Sequence, residues 1–151
     1  MNRILTALPV FFGALLLCCA ARAATGLGIE LGDDVSSVRQ ALQTEMPEET
    51  EMSPAMGSSV IHLRTRGIWV FLTAGKVATI RLDAPYAAAV NGIRIGDGYG
   101  KLMSTMGQPK FAFPFGNLQA FTYPLDGSSY IRFDLDEDGV QIIYILPARK
   151  K

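Results

Sequence analysis

The sequence predicts an α+β fold in which two tandem α-β-β-β units form one continuous antiparallel sheet with both helices packed on one face. One observation is a six-residue motif, Gly28-Ile29-Glu30-Leu31-Gly32-Asp33, which recurs as Gly92-Ile93-Arg94-Ile95-Gly96-Asp97 with four of six positions identical. An internal repeat of this kind predicts one supersecondary unit that is used twice. The other observation is a set of apolar positions that recurs 63 residues later: Ile68, Leu72, Val77, Ile80 and Leu82 correspond to Ile131, Leu135, Val140, Ile143 and Ile145.

A signal peptide is predicted to precede the first unit. Residues 1–23 contain Arg3, an apolar run and the small residues Ala21-Arg22-Ala23. This arrangement is typical of a secretory leader that ends in an A-x-A cleavage site. Cleavage there would remove both cysteines, Cys18 and Cys19. The alternative interpretation is a lipoprotein signal that retains one of these two cysteines as a lipid anchor.

Residues 24–151 are predicted to form a single domain of two repeats, about 28–83 and 92–146. They comprise 128 residues with 12 basic and 14 acidic side chains and no Lys/Arg stripe, so the electrostatic signature of a nucleic-acid-binding protein is missing. No second apolar stretch reaches the length of a membrane span. A domain without cysteine and with a single His has neither a thiol nucleophile nor a Cys-rich or His-rich metal site. We therefore expect no metal and no cofactor.

Each unit is predicted to begin with a helix. In the first unit Asp33 or Asp34 is expected to accept a backbone N–H as the N-cap. In the second unit Asp97 is expected to play the same role, and Gly107 followed by Pro109 predicts the end of the helix. Apolar residues follow at helical spacing: Val35, Val38, Ala41 and Leu42 in the first helix, and Tyr99, Leu102, Met103 and Met106 in the second.

Three strands are predicted to follow each helix. Alternation places Ile68, Val70 and Leu72 on one face of the sheet, toward the core, and Trp69 and Phe71 on the other face. The opposite assignment, with the Trp face as the core, is the alternative. Apolar runs bounded by Gly-containing turns give the predicted strands: 59–65, 68–72 and 77–82 in the first unit, and 118–123, 130–135 and 140–146 in the second.

The repeated motif, the short helix, the Gly107-Gln108-Pro109 sequence and the three-stranded meander resemble the helix-and-sheet repeat of the β-lactamase inhibitory protein family. They also resemble the single-unit fold of the BamE (SmpA/OmlA) envelope lipoproteins. The resemblance covers about residues 28–146. It implies an exported, non-catalytic module of the bacterial cell envelope whose uncovered sheet face and connecting loops bind another protein.

A calcium-binding pattern is interpreted as a turn. Asp134, Asp136, Asp138 and Gly139 match the start of an EF-hand loop, but the twelfth position, which should be a bidentate Glu, is Ile145. An apolar strand begins directly after the glycine. We interpret the segment as an acidic hairpin turn, with weak calcium binding as the alternative.

No catalytic centre is predicted. His62 has Ser58 and Ser59 nearby in the sequence, but neither serine lies in a nucleophile-elbow motif. A His that follows Val60 and Ile61 is typical of a packed or half-exposed strand residue. A small hydrolytic or calcium-binding enzyme is kept as an alternative.

The aromatic side chains are the best candidates for a binding site. Residues 111–116 hold three of the eight phenylalanines in a linker that periodicity assigns to neither helix nor strand. An aromatic loop either folds onto the core or presents a binding surface. Aromatic and Arg side chains supply most of the binding energy of protein interfaces, and Arg64 and Arg66 are expected near the same face. The predicted partner-binding residues are Trp69, Phe71, Phe111, Phe113, Phe115, Arg132 and Asp134.

The sequence thus predicts an exported protein-binding module, periplasmic or secreted, of the inhibitor or immunity-protein type. It would block a periplasmic or secreted enzyme or toxin by steric occlusion, with the acidic segment 48–51 or the acidic segment 134–138 placed against basic groups of that partner. The alternative is an envelope assembly or structural factor that uses the same sheet without inhibiting anything.

Overall fold

The computed structural model describes residues 26–43 and 57–148 with their side chains and residues 49–53 by their backbone alone. The predicted signal peptide, including Cys18 and Cys19, lies outside the described residues, as does Glu48. Among the described residues, no helix is both long enough and apolar enough to cross a membrane.

The described chain contains two α-helices and eight β-strands, so the predicted α+β class is confirmed. A short 3₁₀ turn, Arg64–Arg66, connects the second and third strands. In chain order the elements are α1 (Val35–Leu42), β1 (Glu49–Ser53), β2 (Ser58–Leu63), β3 (Ile68–Thr73), β4 (Lys76–Asp83), α2 (Tyr99–Met106), β5 (Phe111–Phe115), β6 (Leu118–Pro124), β7 (Ser129–Asp136) and β8 (Gly139–Pro147).

All eight described strands form one antiparallel sheet in the order β1-β2-β3-β4-β8-β7-β6-β5. The two edges are β1 and β5, and the last strand of each half, β4 and β8, meet in the centre. Their register places Arg81 opposite Tyr144, with Ile80 opposite Ile145 on one side of this pair. The two halves of the chain therefore share a continuous sheet through a single strand pair.

A β-bulge occurs between the last two strands of each half of the sheet, and the pairing of β1 with β2 has a further irregularity between Glu51 and Ser53. β4 carries an extra residue, Ala78, opposite the step from Phe71 to Leu72 in β3. β8 carries an extra residue, Gln141, opposite the step from Asp134 to Leu135 in β7. Since a bulge bends its strand and increases the local twist, the two halves have the same distortion at corresponding places.

The core lies between the helices and one face of the sheet. Ile68, Val70 and Leu72 are at most 1% exposed, whereas Trp69 and Phe71 are only partly buried. The predicted assignment of faces is thus confirmed, and the alternative with the Trp face as the core is wrong. The helices contribute three fully or almost fully buried side chains to the same apolar cluster: Val38, Leu42 and Leu102.

The first helix has the predicted cap, and the second does not. Asp34 is the N-cap of α1, and its carboxylate accepts the backbone N–H of Ser37 at 2.8 Å. The N-cap of α2 is Gly98, which has no side chain to offer. The expectation that Asp97 caps α2 is therefore wrong. Gly107 ends α2 as predicted, and its N–H donates to the carbonyl oxygen of Met103.

The aspartate of each repeated motif instead closes the turn before the helix. Asp33 Oδ2 accepts the backbone N–H of Glu30 at 2.8 Å, and Asp97 Oδ2 accepts that of Arg94 at the same distance. The N–H of the second glycine of each motif then donates to a carbonyl oxygen at the start of the last strand of its half. Gly32 donates to Val77 at 2.8 Å, and Gly96 donates to Val140 at 2.7 Å.

Two strands were not expected. Residues 111–115 were predicted to be a linker, but they form the edge strand β5, which pairs with β6 along its whole length. The backbone of residues 49–53, which overlap the acidic segment 48–51, forms the opposite edge strand β1. Each half therefore contributes four strands to the sheet rather than three.

Candidate partner-binding surface

The sheet face opposite the helices, called here the open face, carries every predicted partner-binding side chain. Strand pairing aligns residues of five strands in one row across this face: His62, Trp69, Arg81, Tyr144 and Arg132. The same row continues through Thr122 of β6 to Phe111 of β5. No described helix covers this face, since the buried side chains of both helices belong to the core on the other side.

Trp69 contacts the residues that pair with it on both neighbouring strands. The His62 ring stacks on it with centroids 3.2 Å apart and an angle of 17° between the planes. The guanidinium carbon of Arg81 lies 5.2 Å from the Trp69 centroid. The indole Nε1–H donates to Asp83 Oδ2 at 3.1 Å, and Arg81 forms a 2.8 Å ion pair with the same oxygen. These contacts fix the indole in one orientation with part of its surface in solvent.

Phe71 extends this aromatic array along β3. Its ring lies 6.4 Å from that of Trp69, and the two planes are within 7° of parallel. A shallow groove of about 370 Å³ lies next to Phe71, and Tyr144 forms part of its lining. Hydroxyl-bearing side chains supply much of the remaining lining: Ser58, Ser59, Thr73 and Thr79.

Arg132 organises the other half of the open face. Its Nη2 donates to Asp134 Oδ2 at 2.8 Å. Its guanidinium carbon also lies 4.4 Å from the ring centroid of Tyr144 and 4.7 Å from that of Phe115. One side chain of β7 therefore contacts a ring of β8 and a ring of the edge strand β5.

Asp134 does not reach the surface. Its side chain is fully buried, and its Oδ1, like the Nε of Arg132, has no hydrogen-bond partner among the described residues. Burial raises the pKa of Asp134, and the nearby Arg132 and Arg81 guanidinium groups partly oppose this shift. The carboxylate can influence a binding partner only through the arginine that it holds.

The three phenylalanines of β5 are the most exposed part of the surface. Phe111, Phe113 and Phe115 are 50%, 38% and 48% exposed. Phe111 has an edge-on contact with Tyr130 at 6.2 Å. Lys110 lies over both of these rings and donates to the Tyr130 hydroxyl at 2.8 Å.

Other residues considered from the sequence have structural roles. The guanidinium of Arg66 donates to the Leu42 carbonyl at 3.0 Å, at the end of α1, so it belongs to the helix side. Asp136 accepts the backbone N–H of Asp138 at 2.9 Å inside the β7–β8 hairpin turn. In the part of the chain described, no group of three or more His, Cys, Asp or Glu side chains is placed to hold a metal ion.

Sequence reasoning missed the residues that connect the two halves of the face. Tyr144 lies in a strand that is apolar on both faces, so alternation gave no register there. In β4 polar and apolar residues do alternate around Arg81, and this signal was overlooked. The repeat was a second signal, because Arg81 and Tyr144 are 63 positions apart and therefore correspond to each other. His62 was expected to be a packed or half-exposed strand residue, and it lies on the open face against Trp69.

No protein-family model and no curated protein matches the chain. Its fold is similar to that of YjgB, a DUF4309 family protein from Bacillus subtilis, with 13% identity and a TM-score of 0.51 over 77% of this chain and 79% of that one. It is also similar to a cysteine-rich secretory protein from Staphylococcus aureus, with 11% identity and a TM-score of 0.52. That match covers 77% of this chain but only 42% of the other. At these identities the similarity concerns the fold alone.

Proposed function

We propose that this chain is an exported, non-catalytic protein-binding module that occludes a functional surface of its partner with the open face. The observation that carries the proposal is the row of ordered aromatic and guanidinium side chains on a sheet face that no described helix covers. An apolar, aromatic surface of this kind is typical of a protein-binding site.

The chemistry of the face suits a protein partner. Interface hot spots are enriched in Trp, Tyr and Arg, and four consecutive positions of the row are Trp69, Arg81, Tyr144 and Arg132. Stacking and ion pairs already restrict these side chains, so less conformational entropy is lost when they are covered. The exposed rings of Phe111 and Phe113 add apolar area at the edge of the surface.

The proposed contact uses the sheet face and not a sheet edge. A partner strand added to β5 would need its outward N–H groups, but Pro114 in the middle of β5 has none. The phenylalanines on either side of Pro114 point their side chains to the open face instead. A partner is therefore expected to cover β5 from above rather than to extend the sheet.

We also propose that the two halves are copies of one unit. The repeated motif closes the same turn twice, and both bulges occur 63 residues apart, at Ala78 and Gln141. Core positions are apolar in both halves. On the open face the equivalent residues differ: Trp69 corresponds to Arg132, Phe71 to Asp134, and Arg81 to Tyr144. The different side chains that the two halves place on this face support a specialised, asymmetric binding role for it.

Export is part of the same proposal. The N-terminal pattern is that of a secretory leader, and one of the two similar structures is described as a secretory protein. The resemblance to β-lactamase inhibitory protein and to BamE-like envelope proteins points to the same compartment. We propose a periplasmic or secreted location.

Affinity capture with matched variants tests the proposal. Immobilised residues 24–151 would be exposed to periplasmic and secreted proteins of the source cell, and any captured protein would be titrated against three variants. Trp69→Ala and Phe113→Ala should weaken binding by about 2 kcal/mol, or roughly thirtyfold. Ser104→Ala, an exposed change on α2, should leave it unchanged. A partner that binds all three variants equally would contradict the proposed surface, and copurification with outer-membrane assembly components would favour the assembly-factor alternative.

A further inference from the structure

Asp134 and Arg132 form a buried ion pair. A gain in stability does not explain why charged residues are buried at this place. The Asp134 side chain is 0% exposed and that of Arg132 is 14% exposed. Removing two charges from water offsets most of their attraction, and an apolar pair of similar size often stabilises a fold as well or better. One oxygen of Asp134 and the Nε of Arg132 also lack partners among the described residues, which adds to the cost. A pair of this kind is better suited to fixing a geometry than to adding stability.

The geometry that it fixes is the position of the edge strand. β5 has a single neighbour, β6, in the sheet order. The Arg132 guanidinium reaches past β6 to the Phe115 ring at 4.7 Å, while its other ring contact, Tyr144 at 4.4 Å, lies on the central strand β8. Asp134 holds the guanidinium by the 2.8 Å ion pair. Through its contacts with Phe115 and Tyr144, Arg132 links β5 to the centre of the open face.

We propose that Asp134 and Arg132 act as a buried clamp that positions β5 and its phenylalanines in the binding surface. The clamp rests on the proposed function of the open face, since a fixed β5 matters only if its rings meet a partner. Asp134 is the positioning residue, Arg132 transmits the constraint, and Phe115 receives it. Without the clamp, β5 keeps its pairing with β6 but loses its connection to β8.

Hydrogen exchange of the isolated protein tests the clamp. Asp134→Asn keeps the size of the side chain and removes its charge, and Arg132→Met keeps the length of the stem and removes the guanidinium. In both variants the amides of Phe111, Ala112, Phe113 and Phe115 should exchange at least about tenfold faster, whereas those of β3 keep their rates. Trp69→Phe is the matched control, because it removes the hydrogen bond to Asp83 in the other half of the face and should leave β5 unchanged.

Two results would overturn the clamp: unchanged exchange in β5, or equal acceleration in all strands, which would indicate a general loss of stability. If Asp134→Asn fails to fold, Phe115→Leu decides the question. It removes the ring and leaves the buried pair intact, so it must accelerate exchange in β5 alone. No partner is present in these measurements. If exchange in β5 is unchanged but the surface variants weaken capture, the clamp is wrong and the binding proposal stands. If exchange in β5 accelerates but the surface variants do not affect capture, the pair positions β5 and the binding proposal is wrong.

Discussion

Arg81 and Tyr144 face each other at the junction of β4 and β8, and they are 63 positions apart in the chain. On one side of this pair Ile80 lies opposite Ile145, and on the other Leu82 lies opposite Ile143. At the repeat spacing of 63, Ile80 corresponds to Ile143 and Ile145 corresponds to Leu82, so the repeat converts the first pair into the second. The junction thus has an approximate two-fold arrangement centred on Arg81 and Tyr144, as in an isologous contact between identical subunits.

The two faces of this junction have different properties. On the core side the paired positions are isoleucine and leucine, fully or almost fully buried. On the open side Arg81 is paired with Asp83, and Tyr144 lies under Arg132. On the core side the residues of both halves are aliphatic, whereas the open side combines different residues from each half into one surface.

Two phenylalanines provide a test of which face is the core. Phe133 is fully buried and Phe113 is 38% exposed. Phe133→Ala should lower the free energy of unfolding by about 3–5 kcal/mol, because it leaves a cavity among packed side chains. Phe113→Ala should cost less than about 1 kcal/mol. Urea denaturation followed by circular dichroism measures both, and similar losses in the two variants would contradict the assignment of faces.

Much of this fold could be predicted because one face of β3 and of β7 is consistently apolar. Alternation across Ile68, Trp69 and Val70 predicted the strand and favoured the orientation that the structure has, with the reverse orientation as the alternative. The first helix was equally readable, since Asp34 stands directly before an apolar stripe. Where sequence periodicity and side-chain chemistry agree in this way, the local structure follows from the sequence.

The edge strand β5 was missed for a physical reason. Proline in a central strand removes a ladder hydrogen bond, so Pro114 argued against any strand, yet an edge strand has one side without a partner and tolerates it. The alternation of Phe111, Ala112 and Phe113 was the overlooked signal. The error at Asp97 could have been avoided by aligning the two motifs. The alignment places Gly98, not Asp97, at the position of the Asp34 cap.

The contacts of the single tryptophan predict a measurable stability loss. Trp69→Ala removes the stack on His62, the contact with Arg81 and the hydrogen bond to Asp83, and it should cost about 2–3 kcal/mol. Trp69→Phe keeps an aromatic ring and loses the Nε1–H donor, so it should cost about 1 kcal/mol. Circular dichroism is the required probe, because both variants lose the tryptophan fluorescence. Equal losses in the two variants would mean that stacking contributes nothing.

Two glycines with similar backbone angles should respond differently to alanine. Gly67 and Gly75 have φ values of 64° and 71°. A Cβ on Gly67 would lie against the Asp83 carbonyl oxygen and 2.8 Å from the Tyr86 nitrogen, whereas a Cβ on Gly75 would meet nothing within 4 Å.

Gly75→Ala should therefore cost only the left-handed backbone strain, about 1–2 kcal/mol. Gly67→Ala should cost at least about 3 kcal/mol, because the turn must also shift. Thermal unfolding of both variants measures the difference. Equal shifts in midpoint would show that the turn around Gly67 yields without cost.

The Asp34 cap predicts a dependence of stability on pH. Its carboxylate accepts hydrogen bonds from the Ser36 hydroxyl at 2.7 Å and the Ser37 backbone N–H at 2.8 Å, and these lower the pKa of Asp34 from 3.8 to about 2. The folded-state pKa of Asp34 lies below its value in the unfolded chain. The charged cap therefore stabilises the protein above pH 3.8, and this contribution is lost as the pH falls toward about 2.

Asp34→Asn isolates this effect, because asparagine also caps a helix but does not titrate. Above pH 3.8 the difference in the free energy of unfolding between the natural protein and the variant should be constant. As the pH falls to about 2, the natural protein should lose stability steadily relative to the variant. The pKa of Asp126 is also lowered, by its hydrogen bonds to Ser128, but Asp126 is present in both proteins and cancels. Urea titrations across this range measure the difference, and NMR titration of the Asp34 carboxyl gives its midpoint directly. A midpoint at the ordinary value, with a difference that does not vary with pH, would mean that the cap contributes equally in both protonation states.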